Sequence, residues 1–315
     1  MSKSTPKKTK SIKSLKDLAQ WISLLENSNS KGFSQLKKLY SQTGHSLKIG
    51  ITGSPGVGKS TLIDKLIGYF RKDGKSIAIT AIDPTSPVSG GALLGDRIRM
   101  QQHSSDKNVF IRSLATREHR GGVTSTIRPI LHALDIYGFD IILIETVGTG
   151  QDEVEIQDIA DLTIVVFGPG SGDSIQFAKS GIVDIGDILV VNKSDITESD
   201  QVLRELQMRY HFKPEDEPIP KILSISSKTE TGIDTLYRTI LDTSKQLSDS
   251  GELDVRRHEQ ATTEVIDCLK NRAIGDILSQ FYNTRHNAKL VGQLQNRKTD
   301  PYTISERIYK EWMKK

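Results

Sequence analysis

Gly53-Ser54-Pro55-Gly56-Val57-Gly58-Lys59-Ser60-Thr61 decides the reading of this chain. The stretch fits G-x-x-x-x-G-K-[ST]. It follows an apolar, β-branched run, Leu47 to Thr52, and precedes a helical run, Leu62 to Phe70. A strand before and a helix after are the context that gives this pattern its meaning. The glycines let backbone N–H groups turn inward around phosphate oxygens, and the helix N-terminus adds its dipole. Lys59 is then expected to reach the β and γ phosphates, and the Ser60 hydroxyl to ligate Mg²⁺. Position 54 is serine rather than lysine, so the lysine-opened loop of partitioning ATPases is absent.

Working outward, short apolar runs alternate with amphipathic stretches. The runs are Leu47 to Thr52, Ile77 to Ile82, Val109 to Ile111, Asp140 to Glu145, Leu162 to Phe167, Asp187 to Val191 and Ile222 to Ile225. Continuous apolar character predicts strands buried on both faces. Strand, helix and strand in repetition predict an α/β fold with a mostly parallel sheet flanked by helices. Ligands of such sheets bind beyond the carboxyl ends of the strands.

The polar residues that follow these strands carry the chemistry. Asn192-Lys193-Ser194-Asp195 follows the sixth run. A carboxylate at Asp195 can accept from N1–H and the exocyclic amine of guanine, which adenine does not offer; polar sites of this kind discriminate by roughly 10⁴ or more. Asn192 is expected to tie this loop to the phosphate loop, and the Lys193 stem to cover the base. Glu145-Thr146-Val147-Gly148 ends the fourth run. Glu145 is placed to hold Mg²⁺ through water, and the Gly148 N–H to sense a γ-phosphate. Asp83 ends the second run, and Asp96 lies in a loop with Gly90, Gly91 and Gly95. Both are assigned to the Mg²⁺ shell, on a segment suited to a first switch. Ser226-Ser227-Lys228 follows the last run, and its backbone is expected to close over the guanine. A glycine- and proline-rich loop, Gly168 to Asp173, leads to Gln176 and Lys179. Thr149 stands where small signalling GTPases carry a water-orienting glutamine, and Gln151 lies two further on. Slow intrinsic hydrolysis follows, with Gln151, Lys179 or a partner completing the site.

The flanks read as helices. Leu15, Leu18, Ile22 and Leu25 recur at helical spacing, and Ser14 with Asp17 caps the start. Phe33, Leu36 and Tyr40 continue after Ser28-Asn29-Ser30. Residues 258 to 282 look helical, with Gly275 as a weak point. Asp300-Pro301 starts another helix, with Ile304, Ile308 and Trp312 on one face. The expected organisation is a tail over 1–13, a helical segment over 14–45, the nucleotide domain over 46–245, and a helical arm over 246–315.

Composition agrees. Apolar residues make up 36% of the 315 and charged residues 26%, as in cytoplasmic globular proteins. Cys268 is the single cysteine, which leaves no disulfide framework and fits a reducing compartment. No apolar run approaches the roughly 18 residues of a membrane span. The net charge of +4 comes largely from the lysine-rich tail and is weak support for a nucleic-acid partner.

Beyond these motifs, Asp83-Pro84, Gly90-Gly91, Leu94 to Met100, Phe110 to Ser113, Ala115-Thr116-Arg117, Gly121-Gly122 and Glu145 to Gln151 resemble the MeaB/ArgK group. These are P-loop GTPases of the SIMIBI class that act with adenosylcobalamin-dependent acyl-CoA mutases. The resemblance runs from about Leu18 to Leu241. It implies GTP and GDP as ligands and a role as a G-protein chaperone gating cofactor delivery. The family's third switch matches Gly170 to Gly181, so Asp173, Gln176 and Lys179 inherit coupling to the mutase. It also implies a homodimer formed through the C-terminal arm. Ser180 after Lys179, Ser227-Lys228 in the last guanine loop and Asp152 after Gln151 depart from the family's usual residues. Methylmalonyl-CoA, isobutyryl-CoA and related mutases stay open as clients. The competing readings are a metallochaperone GTPase, which the single cysteine and scattered histidines disfavour, a kinase of a transport-binding protein, and a scaffold without catalysis.

Overall fold

The computed structural model describes residues 12–84, 103, 105–116, 122–146, 155–169, 181–211, 219–282 and 292–313. Seven parallel strands form one sheet in the order β3-β2-β4-β1-β5-β6-β7. They are β1 (Leu47–Thr52), β2 (Ile77–Pro84), β3 (Val109–Thr116), β4 (Ile141–Thr146), β5 (Leu162–Phe167), β6 (Ile188–Val191) and β7 (Lys221–Ser224). Every run read as a strand in the sequence is one. The third is longer than expected because Arg112 and Ser113 interrupt its apolar pattern, and as an edge strand it needs no continuous apolar face. Strands β2 to β4 lie on one side of β1 and β5 to β7 on the other. The chain therefore changes direction at β1, and that is where parallel sheets open a crevice.

Both faces of the sheet are covered. Helices α3 (Lys59–Lys72) and α6 (Ile233–Asp249) pack Leu62, Ile63, Leu66, Phe70, Leu236 and Ile240 against Ile49, Ile51, Leu143, Ile164 and Val190. On the opposite face α1 (Leu15–Glu26), α2 (Ser30–Leu39) and α4 (Gly122–Tyr137) bury Leu18, Trp21, Ile22, Leu36, Ile130 and Leu134 over Ala78, Ile142 and Ile144. Helix α5 (Ser199–His211) completes that face beside β5 and β6 through Val202, Leu206 and Tyr210. Alternate residues of β4 thus face opposite layers, so the strand is apolar throughout although its side chains point two ways. Helix α1 starts where Ser14 Oγ accepts from the Asp17 N–H at 3.1 Å. Trp21 Nε1 donates to Gly32 O at 3.1 Å and joins α1 to α2.

The N-terminal edge of the sheet is closed by charge. Asp161, immediately before β5, accepts from Arg257 Nε and Nη2, each at 2.8 Å, and from the Lys48 N–H at 2.9 Å. Asp187, before β6, accepts from Arg256 Nη2 at 2.7 Å and the Thr163 N–H at 2.8 Å. Asp135 of α4 accepts from the backbone N–H groups of Gly44, His45 and Ser46. Two consecutive arginines near the start of α7 (Glu252–Tyr282) therefore fasten its first turns to the sheet.

The chain divides into two compact units, Met1–Gln260 and Ala261–Lys315. The second unit contains the rest of α7 and α8 (Pro301–Met313). Asp300 caps α8 by accepting from the Thr303 N–H at 2.8 Å. Among the described residues, no helix is long and apolar enough to cross a membrane.

Candidate functional site

At the C-terminal edge of the sheet, the turn after β1 leads directly into α3. Its glycines are demanded by the backbone. Gly53 has φ 142°, and a Cβ there would stand 2.1 Å from Val166 O of β5. Gly58 has φ 97°, and a Cβ there would stand 2.5 Å from Asn192 Nδ2. The turn is pressed against β5 on one side and the Asn192 side chain on the other, and only glycine fits both constraints. Ser54 and Val57 are buried, whereas Pro55 and Gly56 are exposed at the tip.

Lys59 opens α3 and is only 6% exposed. Its ammonium donates to Gly53 O at 2.5 Å and to Ser54 O at 3.1 Å, so it folds back over the turn. Those carbonyls can be exchanged for phosphate oxygens without moving the helix. Ser60 Oγ donates to Glu145 Oε1 at 2.8 Å, and both side chains are buried. The end of β4 thus stands against the start of α3. Beside them Thr146 Oγ1 donates to Thr52 Oγ1 at 2.8 Å and pins β4 to β1. A hydroxyl and a carboxylate sharing one hydrogen bond are hard oxygen donors of the kind Mg²⁺ takes, so the pair fits that ion.

Asn192 follows β6 and links three segments. Its Nδ2 donates to Val57 O at 2.8 Å, and its Oδ1 accepts from Ser227 N at 2.9 Å and Ser227 Oγ at 3.0 Å. Lys193 adopts φ 64°, which turns the chain out of the strand. Asp195 is exposed, and its Oδ1 accepts from Ser226 Oγ at 2.6 Å. The Ser226 hydroxyl is the chief cause that holds the Asp195 carboxyl below the usual carboxylate range, with Lys228 and Lys193 adding to it. Ser226 is itself fixed: its N–H donates to Thr231 O at 2.9 Å, and its Oγ accepts from the Thr229 N–H at 3.2 Å. Glu230 of this loop pairs with Lys65 of α3 at 2.8 Å.

The structure therefore brings Gly53 to Thr61, Glu145, Asn192, Lys193, Asp195, Ser226, Ser227 and Lys228 to the carboxyl ends of β1, β4, β6 and β7. Asp83 is the second-last residue of β2, one beyond Ile82, which pairs with Thr146. The Asp83 side chain, together with Asp96, Gly148, Gln151, Asp173, Gln176 and Lys179, lies outside the described residues. Sequence reasoning gave the Ser226–Lys228 loop only a backbone role. The structure adds the two serine hydroxyls, one on Asp195 and one on Asn192. Their signal was present as two adjacent hydroxyl residues after a strand, but spacing does not say where a hydroxyl points.

Chemically, this is a polyanion cradle joined rigidly to an acceptor-only carboxylate. A ligand with phosphates at one end and a donor-rich heterocycle at the other matches both halves.

Comparison with known proteins agrees. The family described as methylmalonyl Co-A mutase-associated GTPase MeaB matches residues 18–281. A Pyrococcus horikoshii protein that carries a GTPase name is 40% identical over 298 residues, covering 92% of each chain. GTPase ArgK of Escherichia coli is 30% identical over 274 residues, covering 84% of this chain and 82% of its own. The mouse mitochondrial methylmalonic aciduria type A homolog is 36% identical over 221 residues, which is 68% of this chain and 52% of that protein. Among solved structures, a LAO/AO transport system kinase aligns over 95% of this chain and 93% of its own, with a TM-score of 0.67 and 22% identity, and so shares the fold.

Proposed function

The chain belongs to the MeaB family of P-loop GTPases, and we propose that it works as a GTP-driven switch on an adenosylcobalamin-dependent acyl-CoA mutase. The observation that carries the nucleotide half is Asn192. One side chain fastens the phosphate turn, through Val57 O, to the Ser226–Ser227 loop that orients Asp195. Base reading and phosphate binding are thereby parts of one body, as a switch sensitive to the third phosphate needs. The mutase half is supported by the family match and by the likeness to the methylmalonic aciduria type A homolog.

In this reading the turn from Gly53 to Thr61 wraps the phosphates. Lys59 leaves its two carbonyl partners for β- and γ-phosphate oxygens. Ser60 and Glu145, joined by Asp83 and Asp96, would hold Mg²⁺, which would supply neutralising charge for the phosphates. The Gly148 N–H senses the γ-phosphate. Gln151 positions the attacking water, Lys179 reaches the site only when the mutase is bound, and Asp173, Gln176 and Lys179 couple that step to the mutase. Asp195 accepts from guanine, with Lys193 and Lys228 flanking the base. The arm acts in the same scheme as the dimerisation element: Val265, Ile266 and Leu269 of α7 are exposed on the second unit, and a second copy covers them. Cytoplasmic location belongs to the same proposal.

The deciding experiment is GTP hydrolysis by the purified protein with Mg²⁺, alone and with methylmalonyl-CoA mutase at matched concentration. Slow hydrolysis that rises many-fold with the mutase is expected. A rate the mutase leaves unchanged would remove that client and leave the GTPase. Lys179→Ala is expected to keep the intrinsic rate within about threefold while losing most of the stimulation; full stimulation of that variant would remove the coupling role.

A further inference from the structure

We propose that Gln260 links α7 to the nucleotide site, so that the nucleotide in the phosphate turn sets how tightly the first turns of α7 are held; this rests on the nucleotide-switch reading above and adds the side chain that carries the signal away from the site.

The link starts in the return path from the site to the sheet. After Glu145 at the end of β4, the chain comes back to β5 through a short 3₁₀ helix, Glu155–Asp158. A helix end leaves carbonyls without partners in the helix itself. The Gln260 amide takes up two carbonyls of this stretch: Nε2 donates to Ala160 O at 2.7 Å and to Gln157 O at 3.0 Å. An NH₂ group has two N–H bonds, so both are spent on one segment. Arg128 of α4, only 5% exposed, closes the same joint, with Nη2 3.4 Å from Asp158 O and Nη1 3.5 Å from Gln260 O.

The segment is seated on the strands that end at the site. Gly50 of β1 pairs with Ile144 of β4 and Thr163 of β5. A Cβ at Gly50 would stand 2.6 Å from Ile156 Cγ1 and 3.0 Å from Ala160 Cβ, so the segment lies on the strand without slack. Ile144 directly precedes Glu145, and Gly53 opens the phosphate turn three residues after Gly50. Close-packed interiors pass a shift on rather than absorb it. The far end of the segment is fixed, because Asp161 is locked by Arg257. A shift that begins at the Glu145 end therefore pivots at Asp161. It moves Gln157 O more than Ala160 O, which lies next to the pivot. The two Gln260 donors bridge one carbonyl on the moving side and one on the fixed side. When the switch exchanges GDP for GTP, the amide follows Gln157 O or releases it, and α7 is held differently in the two states. By linkage, a partner that holds α7 biases nucleotide binding by the same factor.

The test is hydrogen exchange of the full-length protein with Mg²⁺, saturated with GDP or with a non-hydrolysable GTP analogue, read over residues 252–260. In the wild type, exchange there is expected to differ about tenfold between the two states. In Gln260→Ala the ratio is expected to fall below about threefold, with nucleotide affinities and melting temperature close to wild type. Gln260→Glu, of the same length but without a donor, is expected to follow alanine. Variants that exchange faster in both states with the wild-type ratio kept would make Gln260 a fastening only and overturn the proposal. A wild type whose residues 145–160 respond to the nucleotide while 252–260 do not would also overturn it and leave the switch reading standing. A wild type that responds nowhere would bring down both.

Discussion

The two ends of the same sheet use carboxylates in opposite ways. At the N-terminal edge, Asp161 and Asp187 stand just before β5 and β6 and are saturated. Each takes a two-pronged arginine and a backbone N–H, and Asp161 has no exposed surface. At the C-terminal edge, Glu145 stands at the end of β4 and Asp195 follows β6, and each accepts from a serine hydroxyl, Ser60 and Ser226. A neutral hydroxyl is a weaker partner than a guanidinium, which forms charge-assisted and often bidentate bonds. Saturated charge makes a joint that stays shut. Lightly engaged charge makes a site that can exchange partners with a ligand. The same residue type is structural or functional according to what the fold sets opposite it.

That contrast breaks first at Lys59. Lys59→Ala is expected to lower kcat/KM for GTP by roughly 10³-fold or more, because the charge facing the transferred phosphoryl group is lost. Its unfolding midpoint should stay at or above wild type, since a buried ammonium has gone. A variant that still turns over GTP well would show that Lys59 is structural, like the arginines at the other edge.

Asp161→Ala probes the saturated end. Removing the carboxylate leaves Arg257, with under a third of its side chain exposed, without its main partner. The loss in urea unfolding is expected at about 2–4 kcal/mol, below the full cost of breaking a buried pair because Arg257 keeps some water. Nucleotide affinity of the folded fraction should not change. A large drop in GTP affinity at unchanged stability would mean that the two edges are coupled.

Asp195→Asn comes third. GTP is expected to bind roughly 10²-fold more weakly, and xanthine nucleotides to gain, since the amide can donate to a 2-oxygen. Retained GTP preference would remove Asp195 from the base site. The wild-type pH dependence sharpens the same point. The Asp195 carboxyl is held below the usual range in the folded protein, chiefly by Ser226. A depressed carboxyl contributes above its unfolded value and loses that contribution as pH falls through the folded one. The contribution of Asp195 to base binding should therefore persist through neutral pH and be lost only in acid, below the usual carboxylate range. A decline near neutrality would point to another group.

The smallest effect is expected at Lys65. Its pair with Glu230 ties α3 to the loop after β7, but both side chains reach solvent. Lys65→Ala should change GTP affinity by no more than about threefold, and less at high salt. A larger, salt-independent change in an affinity titration would place this pair with the saturated joints.

Sequence alone determined the parallel α/β fold, because strands buried on both faces must be apolar throughout and the helices between them must not be. It also determined the phosphate turn. Gly53 and Gly58 occupy backbone conformations that other residues adopt with difficulty, so the chemistry is written in consecutive letters. What tertiary structure alone decided is pairing across long separations. Asn192 meets Val57 and Ser227, Ser60 meets Glu145, and Arg257 meets Asp161 over 96 positions. Nothing in local spacing separates Asp161, locked under an arginine, from Asp195, open to a ligand. Local pattern fixes which residues a strand ends on, but only strand order and helix packing fix what stands opposite them, and it is the opposing group that sets whether a charge is spent or available.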